Sequence, residues 1–367
     1  MPANGGRIPV MADVARIAEV SHQTVSRVLN AHPGVRPETE ARVRAAVAEL
    51  GYRRNFSARA LVTRRSGLVG VLTTAPDHPD TVRALVGVER ALRAAGRTLL
   101  FAGAAPGDLY TVAERLLGHA PEGCVAMVPG QEAELAALNG PATVVVDGDP
   151  ARTASLGPAV MTVGIDHRGA ADTLTRHLLD LGHRTVHHVA GGTPSHAARS
   201  EGWRRALRAA GAPVPEPEAV TEPGPGGGRA AGLALAHRRA AGEEVTAVLA
   251  ADDHIALGLL QALAESGLCV PGQVSVAGFG ERPDSAHLCP ALTTVGADPA
   301  ELGGAAVRLL LAGAREQAEN GSATTEDRGL RAGAAPLLPT RLLVRQSTGP
   351  PPVRRLRQAE RPPTSRV

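Results

Sequence analysis

Near residue 66 the hydrophobic pattern of this chain changes period, and one layered architecture cannot satisfy both sides of the change. Before it, apolar residues recur at helical spacing: Val14, Ala15 and Ala18, then Val25, Val28 and Leu29, then Val43, Ala46, Val47 and Leu50. After it, the short apolar runs GLVGVLTT, RTLLFAGA, GCVAMVPG, ATVVVDGD and AVMTVGID alternate with helical stretches such as TVRALVGVERALRAAG and DTLTRHLLDLG. The alternation resumes in TVHHVAGG, EEVTAVLAADD and VSVAGFGE, with SEGWRRALRAAG and HIALGLLQALAESG between them. Alternating strands and helices build a parallel sheet covered on both faces. A chain of 367 residues that is 43% hydrophobic is long enough for this plus a separate small helical core.

The helical head carries an unusual surface. Residues 11–30 form two short helices around a tight turn, with Ser21 placed to cap the second. Once its apolar stripe is buried, that helix presents His22, Gln23, Thr24, Ser26, Arg27 and Asn30, with one fixed positive charge and no carboxylate. Solvated helix faces normally mix both signs, so this face suits an anionic partner; an ordinary packed helix pair remains the alternative. A third helix begins after Val35, with Pro37 in its first turn and Glu38 and Glu40 at its positive end, and stops at Gly51. From Asn55 to about Thr63 a further short helix carries Ala58, Leu61 and Val62 on one side; alone it is marginal in water.

Charge follows the same division. All 39 basic residues are Arg, which with abundant Ala, Gly and Pro reflects a GC-rich coding sequence. Residues 1–65 hold 11 Arg against five acids, residues 66–348 hold 23 against 30, and the Pro/Arg-rich end from 349 to 367 holds five against one. A basic head on a mildly acidic body fits a phosphate-contacting module joined to a domain that does not itself adhere to DNA.

Several classes are set aside. The start MPANGGRIPV lacks the apolar core of a signal peptide, and no apolar run could span a bilayer, so a cytoplasmic location is expected. Cys124, Cys269 and Cys289 are widely spaced, which favours free thiols over disulfides or zinc. A chain without Lys has no phosphate loop of the GxxxxGK[ST] type, and the glycines of GPGGGRAAG lack dinucleotide-binding spacing. His187 and His188 are strand neighbours facing opposite ways and cannot share a metal. Asp252 and Asp253 could suggest glycosidase carboxylates or helix caps; for Asp253 the cap is the better reading. The expectation is a non-enzyme with no cofactor and no metal.

Three strings in order, VSHQTVSRVLN, RPETEARVRAAVAELGY and NFSARAL, resemble the headpiece and hinge of the LacI family of bacterial transcription regulators. The likeness is close over residues 11–66 and continues more loosely to about 348, especially in VGIDHRGAADTLTRHLLDLGHRTVHHVAG. It implies an all-α helix–turn–helix headpiece plus hinge helix, followed by an α/β periplasmic-binding-protein-like body of two doubly wound parallel-sheet subdomains side by side, with the chain crossing near 160–165 and again near 290–297. The divisions would be a disordered tail over 1–10, the DNA-binding domain over 11–54, hinge and linker over 55–66, the effector-binding and dimerisation body over 67–348, and a disordered tail over 349–367. Residues 315–335 read as a flexible insertion.

In such a headpiece His22, Gln23 and Arg27 would read bases, Gln pairing with adenine and Arg with guanine, although His22 could equally touch phosphate. Ser21, Thr24, Ser26, Asn30 and Arg54 would contact phosphates. By resemblance Leu61 would wedge into the minor groove beside Ala58; packing of Leu61 on the body is the alternative. A small molecule would lie between the subdomains at the strand ends, lined by Thr73, Thr74, Asp77, Asp147, Arg199, Asp252 and Glu281. Arg with several acids suits a hydroxyl-rich ligand such as a sugar or sugar derivative. Departures from the family weaken that: Gly280 stands where an Asp is common, and PGPGGGRAAG lacks a common loop aromatic. Glu19 replaces the usual turn Gly, with strain if its φ is positive, and Arg54 replaces a Pro. The implied function is a dimeric regulator, a repressor, on a palindromic operator in double-stranded DNA, controlled by an effector and not bound to membranes. The absence of a terminal leucine heptad argues against a tetramer. Alternatives are a corepressor-dependent regulator with a non-sugar ligand, or a transport receptor sharing the body fold.

Overall fold

The computed structural model describes residues 9–30, 32–53, 65–105, 107–135, 140–148, 156, 159–319 and 336–352, with backbone only over 314–319. The chain divides into two compact units, residues 1–66 and 67–367.

In the first unit, α1 (Met11–Ile17), α2 (His22–Leu29) and α3 (Pro37–Leu50) close on one small core. Val14, Ala18, Val25, Val28, Val43 and Ala46 are its buried members. These are the residues on the helical stripes, which is why the three helices meet there. Gly51 ends α3 in the left-handed region at φ 58°, where glycine carries no Cβ penalty. Between α1 and α2, Glu19 adopts φ 52°, so a side chain occupies a position that favours glycine.

The second unit is two α/β lobes. The first is built from β1 (Leu68–Thr73), α4 (Pro79–Ala94), β2 (Thr98–Gly103), α5 (Leu109–Leu117), β3 (Cys124–Met127), α6 (Glu132–Leu135), β4 (Thr143–Val146) and β5 (Val160–Ile165). The chain then crosses to form α7 (His167–Asp180), β6 (His187–Ala190), α8 (Pro194–Ala209), β7 (Glu218–Ala219), α9 (Pro225–Ala240), β8 (Ala247–Ala250), α10 (Asp253–Glu265), β9 (Ser275–Phe279) and β10 (Thr293–Gly296). It returns as α11 (Pro299–Glu319), which packs on α4. There Gly87 lies so close to the Ala300 carbonyl that a Cβ would clash, and Gly303 stands likewise against Ala84. The pair β11 (Leu337–Leu338) and β12 (Arg341–Leu343) finishes one sheet and then the other.

The sheet orders are β11-β5-β4-β3-β1-β2 and β12-β10-β9-β8-β6-β7. All pairings are parallel except β12 against β10. The central strands of each sheet are buried on both faces, which explains why they read as continuous apolar runs.

The two expected crossings follow β5 and β10, and a third between β11 and β12 has no counterpart in the sequence pattern. The last strands are two and three residues long, too short for a periodic signal. Two other expectations are corrected. Residues 315–319 continue α11 rather than opening an insertion, because REQAE is helix-favouring and follows an unbroken helical run; residues 320–335 lie outside the described residues. The tail expected to be disordered from 349 begins as part of the body: Gly349 donates to Ser275 Oγ at 3.0 Å, and its carbonyl accepts from His183 Nε2 at 2.9 Å. No described helix is long and apolar enough to cross a membrane.

Candidate functional site

The headpiece surface follows from α2. Ser21 caps it, accepting from the Thr24 amide at 3.1 Å and lying 2.9 Å from Thr24 Oγ1. Asn30 closes the other end, donating to the Ser26 carbonyl at 2.8 Å. Both interactions satisfy groups that a helix terminus leaves open. His22, Gln23 and Arg27 are exposed along the helix, and Thr24 and Ser26 are half-buried at the margin. Arg54, Ala58 and Leu61 lie outside the described residues, so the hinge expectations have no structural counterpart.

At the strand ends where the two lobes of the body meet, polar groups from distant segments come together. Thr73, at the end of β1, is buried and its Oγ1 accepts from the Ala75 amide at 3.2 Å; Thr74 is half-buried and Asp77 exposed. Asp147 follows β4 at φ 56° and Glu281 follows β9 and Gly280 at φ 53°, two strained positions at strand ends. The structure brings Asp147, Arg199 and Asp252 together and adds residues that sequence reading does not identify. His167 Nε2 lies 2.8 Å from both Asp147 oxygens, and Arg199 Nε donates to His167 Nδ1 at 3.2 Å. Arg199 Nη1 donates to the Ala251 carbonyl at 2.6 Å, and its guanidinium carbon sits 3.7 Å over the Phe279 ring centre. Asp252 caps α10 through the Ile255 amide at 2.8 Å and meets His196 Nε2 at 3.2 Å.

Charge states follow from these contacts. Burial works to raise the Asp252 carboxyl, but His196, the Ile255 amide and the Arg199 charge outweigh it and hold it at about 2. Asp147 is likewise raised by burial and then pulled below the ordinary value by His167 and Arg199. Burial lowers His167, and the nearby Arg199 charge adds to this against the pull of Asp147. The outcome is an ionised Asp147 beside a neutral imidazole.

Asp253 corrects an expectation. Asp252 is the cap, and Asp253 is a buried knot: it accepts from Thr294 Oγ1 at 2.6 Å, Ser285 Oγ at 2.7 Å and the Arg282 amide at 3.1 Å. It fastens the loop after β9 to α10, which no local pattern announces. Glu281 enters through its backbone: its carbonyl accepts from Arg83 Nη1 at 3.4 Å, while Arg83 Nη2 pairs with Asp298 at 2.9 Å. Arg83 thus ties α4 of the first lobe to a strand-end loop of the second.

The "Bacterial regulatory proteins, lacI family" domain matches residues 10–55, and the "Periplasmic binding protein-like domain" matches residues 175–348. The HTH-type transcriptional regulator MalR of Streptomyces coelicolor is 33% identical over 321 residues, covering 82% of this chain and 89% of that protein. This chain belongs to the LacI family. The lactose operon repressor of Escherichia coli is 30% identical over 321 residues, covering 84% of this chain and 86% of that one. Among solved structures, the lac repressor dimer bound to operator and the anti-inducer ONPF superposes with a TM-score of 0.79 at 27% identity, covering 94% of this chain and 100% of that one. The CelR–cellobiose complex does so with a TM-score of 0.63 at 27% identity, covering 92% and 99%. This LacI-family chain is therefore a DNA-binding transcriptional regulator, and its relatives are regulators rather than enzymes.

Proposed function

We propose that this LacI-family protein is a cytoplasmic repressor that binds a palindromic operator as a homodimer and is controlled by a hydroxyl-rich small molecule in the cleft between its lobes. The observation that carries the reading is α2, which buries Val25 and Val28, is capped by Ser21, and presents His22, Gln23 and Arg27 with no acid in its first turn. Side chains of those types match base edges, Gln to adenine and Arg to guanine, each at about 1–3 kcal/mol of discrimination. Ser21, Thr24, Ser26 and Asn30 flank them and supply phosphate contacts that fix register. Arg54, Ala58 and Leu61 would extend the contact along the hinge.

The dimer is supported by the likeness to a lac repressor dimer bound to operator, and a two-fold protein calls for a two-fold, palindromic site. A sugar or sugar derivative in the cleft is supported by the likeness to a cellobiose complex. The chain's own residues agree: Arg199 offers an unspent guanidinium edge, Asp252 a carboxylate, and Thr73, Thr74, Asp77 and Glu281 the surrounding wall. Control requires that the ligand bind two arrangements of the lobes unequally, since a ligand that binds both alike shifts nothing.

The test is selection from randomised duplex DNA by the full-length protein near physiological salt. A recovered palindrome is expected, released by a sugar; recovery only in the presence of a ligand makes the protein corepressor-dependent. A motif without two-fold symmetry overturns the dimer. On the recovered site, Arg27→Ala should relax one base pair of each half-site, whereas Arg54→Ala should weaken all sequences alike and flatten the salt dependence.

A further inference from the structure

Asp147 and Arg199 are opposite charges of the cleft, yet among the described residues they form no ion pair; His167 stands between them. Its two ring nitrogens face opposite demands. Arg199 Nε carries a hydrogen and can only donate, so Nδ1 of His167 must offer a lone pair. The Asp147 carboxylate can only accept, so Nε2 must carry the proton. One tautomer of one protonation state meets both, the neutral Nε2–H imidazole. The ring is held against rotation by Phe279, whose centre lies 5.6 Å from its own at a 32° tilt. Phe279 also carries the Arg199 guanidinium.

The groups facing His167 are Asp147 from the loop after β4, Arg199 and His196 from α8, and the uncharged Phe279 from β9. With Nε on His167 and Nη1 on the Ala251 carbonyl, Arg199 Nη2 has no protein partner among the described residues. That edge is the one left for a ligand. Asp147 belongs to the first lobe, His167 and Arg199 to the second, so the relay also joins the walls that a ligand must bridge.

We propose that His167 is a positioning residue of the effector site: as a neutral imidazole anchored on Asp147 it aims Arg199 at the ligand, and its protonation releases the guanidinium and weakens the effector. A second proton would sit on Nδ1, facing the Arg199 Nε–H, and would replace a hydrogen bond with the opposition of two cations. The inference rests on reading the cleft as the effector site, and two readouts keep its failure separate from the failure of that reading.

The first readout needs no ligand. Imidazole 15N NMR of the full-length protein should show a resonance of the Nε2–H tautomer at neutral pH, absent in His167→Gln. An Nδ1–H tautomer, or a charged ring at pH 7, overturns the proposal. The second is release of the selected operator by glucose, galactose, maltose and cellobiose between pH 8 and pH 5.5. For the active sugar, the parent should need more at the acid end, with about tenfold, one lost charged hydrogen bond, as the ceiling because burial holds His167 below the ordinary imidazole value. His167→Gln keeps an acceptor for Arg199 and a donor for Asp147 without titrating, so it should stay near the parent's neutral affinity and lose the pH dependence. His167→Leu should be weak throughout. If the Gln variant is as weak as the Leu variant, or keeps the parent's pH dependence, His167 is not the relay. If no sugar releases DNA, the sugar reading of the cleft fails, and the NMR arm still decides the state of His167.

Discussion

The α2 face proposed to read DNA and the cleft proposed to hold an effector secure their polar groups in opposite ways. On α2 the fixed side chains answer to neighbours a turn away, Ser21 to Thr24 and Asn30 to Ser26, and the residues proposed to read bases stand at the surface. In the cleft Asp147 is held by His167, Arg199 by His167 and Ala251, and Asp253 by Ser285 and Thr294, all far along the chain, while Thr73 and Asp252 answer to amides two and three residues away. A surface built from one helix depends on that helix being docked. A surface built from several strand ends depends on the whole fold and can change when the lobes move.

The widest separation of the two should come from breaking each core in turn. Val25 is fully buried in the headpiece core, and Val25→Asp would place an unpaired charge there at a cost of several kcal/mol, beyond what so small a core supplies. The expected outcome is loss of DNA binding with the body's melting transition unchanged; a body that melts earlier would show that the two units unfold together. The reciprocal change, Trp203→Ala, removes a fully buried ring whose Nε1 donates to the Val186 carbonyl at 2.8 Å, and should cost the body about 3–5 kcal/mol in urea unfolding.

A finer contrast lies in two adjacent carboxylates. Asp253→Leu strands the Thr294 and Ser285 hydroxyls and the Arg282 amide in a buried site, and about 2–4 kcal/mol of body stability should be lost. Asp252→Ala removes a helix cap and should cost about 1 kcal/mol. Equal losses in denaturant titrations would refute the division of roles between them.

The same pair shows where sequence stops being informative. Helices α1 to α3 are legible because a 3.6-residue period, the Ser21 cap and the Gly51 stop are local, and the strands because doubly covered sheets write continuous apolar runs. Asp147, Arg199 and Asp252 are named through resemblance. His167 is not, although it lies in a string that resembles the family, because its meaning comes from partners 20 and 32 residues away. Asp253 is misread as the cap for a similar reason: a cap and a buried acceptor look alike until Thr294 and Ser285 are in place. Strand β11 offers two residues of signal and a change of lobe.

Acid should separate the regions again. Burial lowers His167, His177, His183, His187, His188 and His254, all in the body. His188, which contacts the Leu249 carbonyl and Ser200 Oγ, is lowered to about 4. The unfolded chain binds protons at the ordinary value while the native body resists them, so stability is complete above about pH 6.5 and falls below it. For His188 alone the loss should be about 1.4 kcal/mol per pH unit until pH nears 4. Urea unfolding at pH 7.5 and 5.5 should show the body weakening while the headpiece, with none of these histidines, changes little; equal weakening of both would put the effect elsewhere.

The smallest expected effect tests whether the headpiece stores strain of its own. Glu19 sits at φ 52° in the turn between α1 and α2, where a Cβ crowds the backbone and glycine does not. Glu19→Gly removes that crowding but gives the unfolded chain more freedom, so the net gain should be about 0.5–1 kcal/mol in headpiece stability, with an acid also gone from the DNA-facing unit. Thermal unfolding separates the two contributions, because Glu19→Gln removes the charge and keeps the strain. If Gly and Gln raise the midpoint equally, the turn is relaxed at φ 52° and the penalty was electrostatic. If only Gly raises it, the turn holds a strained residue, and operator affinity measured on both variants will show whether that strain serves the docking of α2 or merely persists because the small core tolerates it.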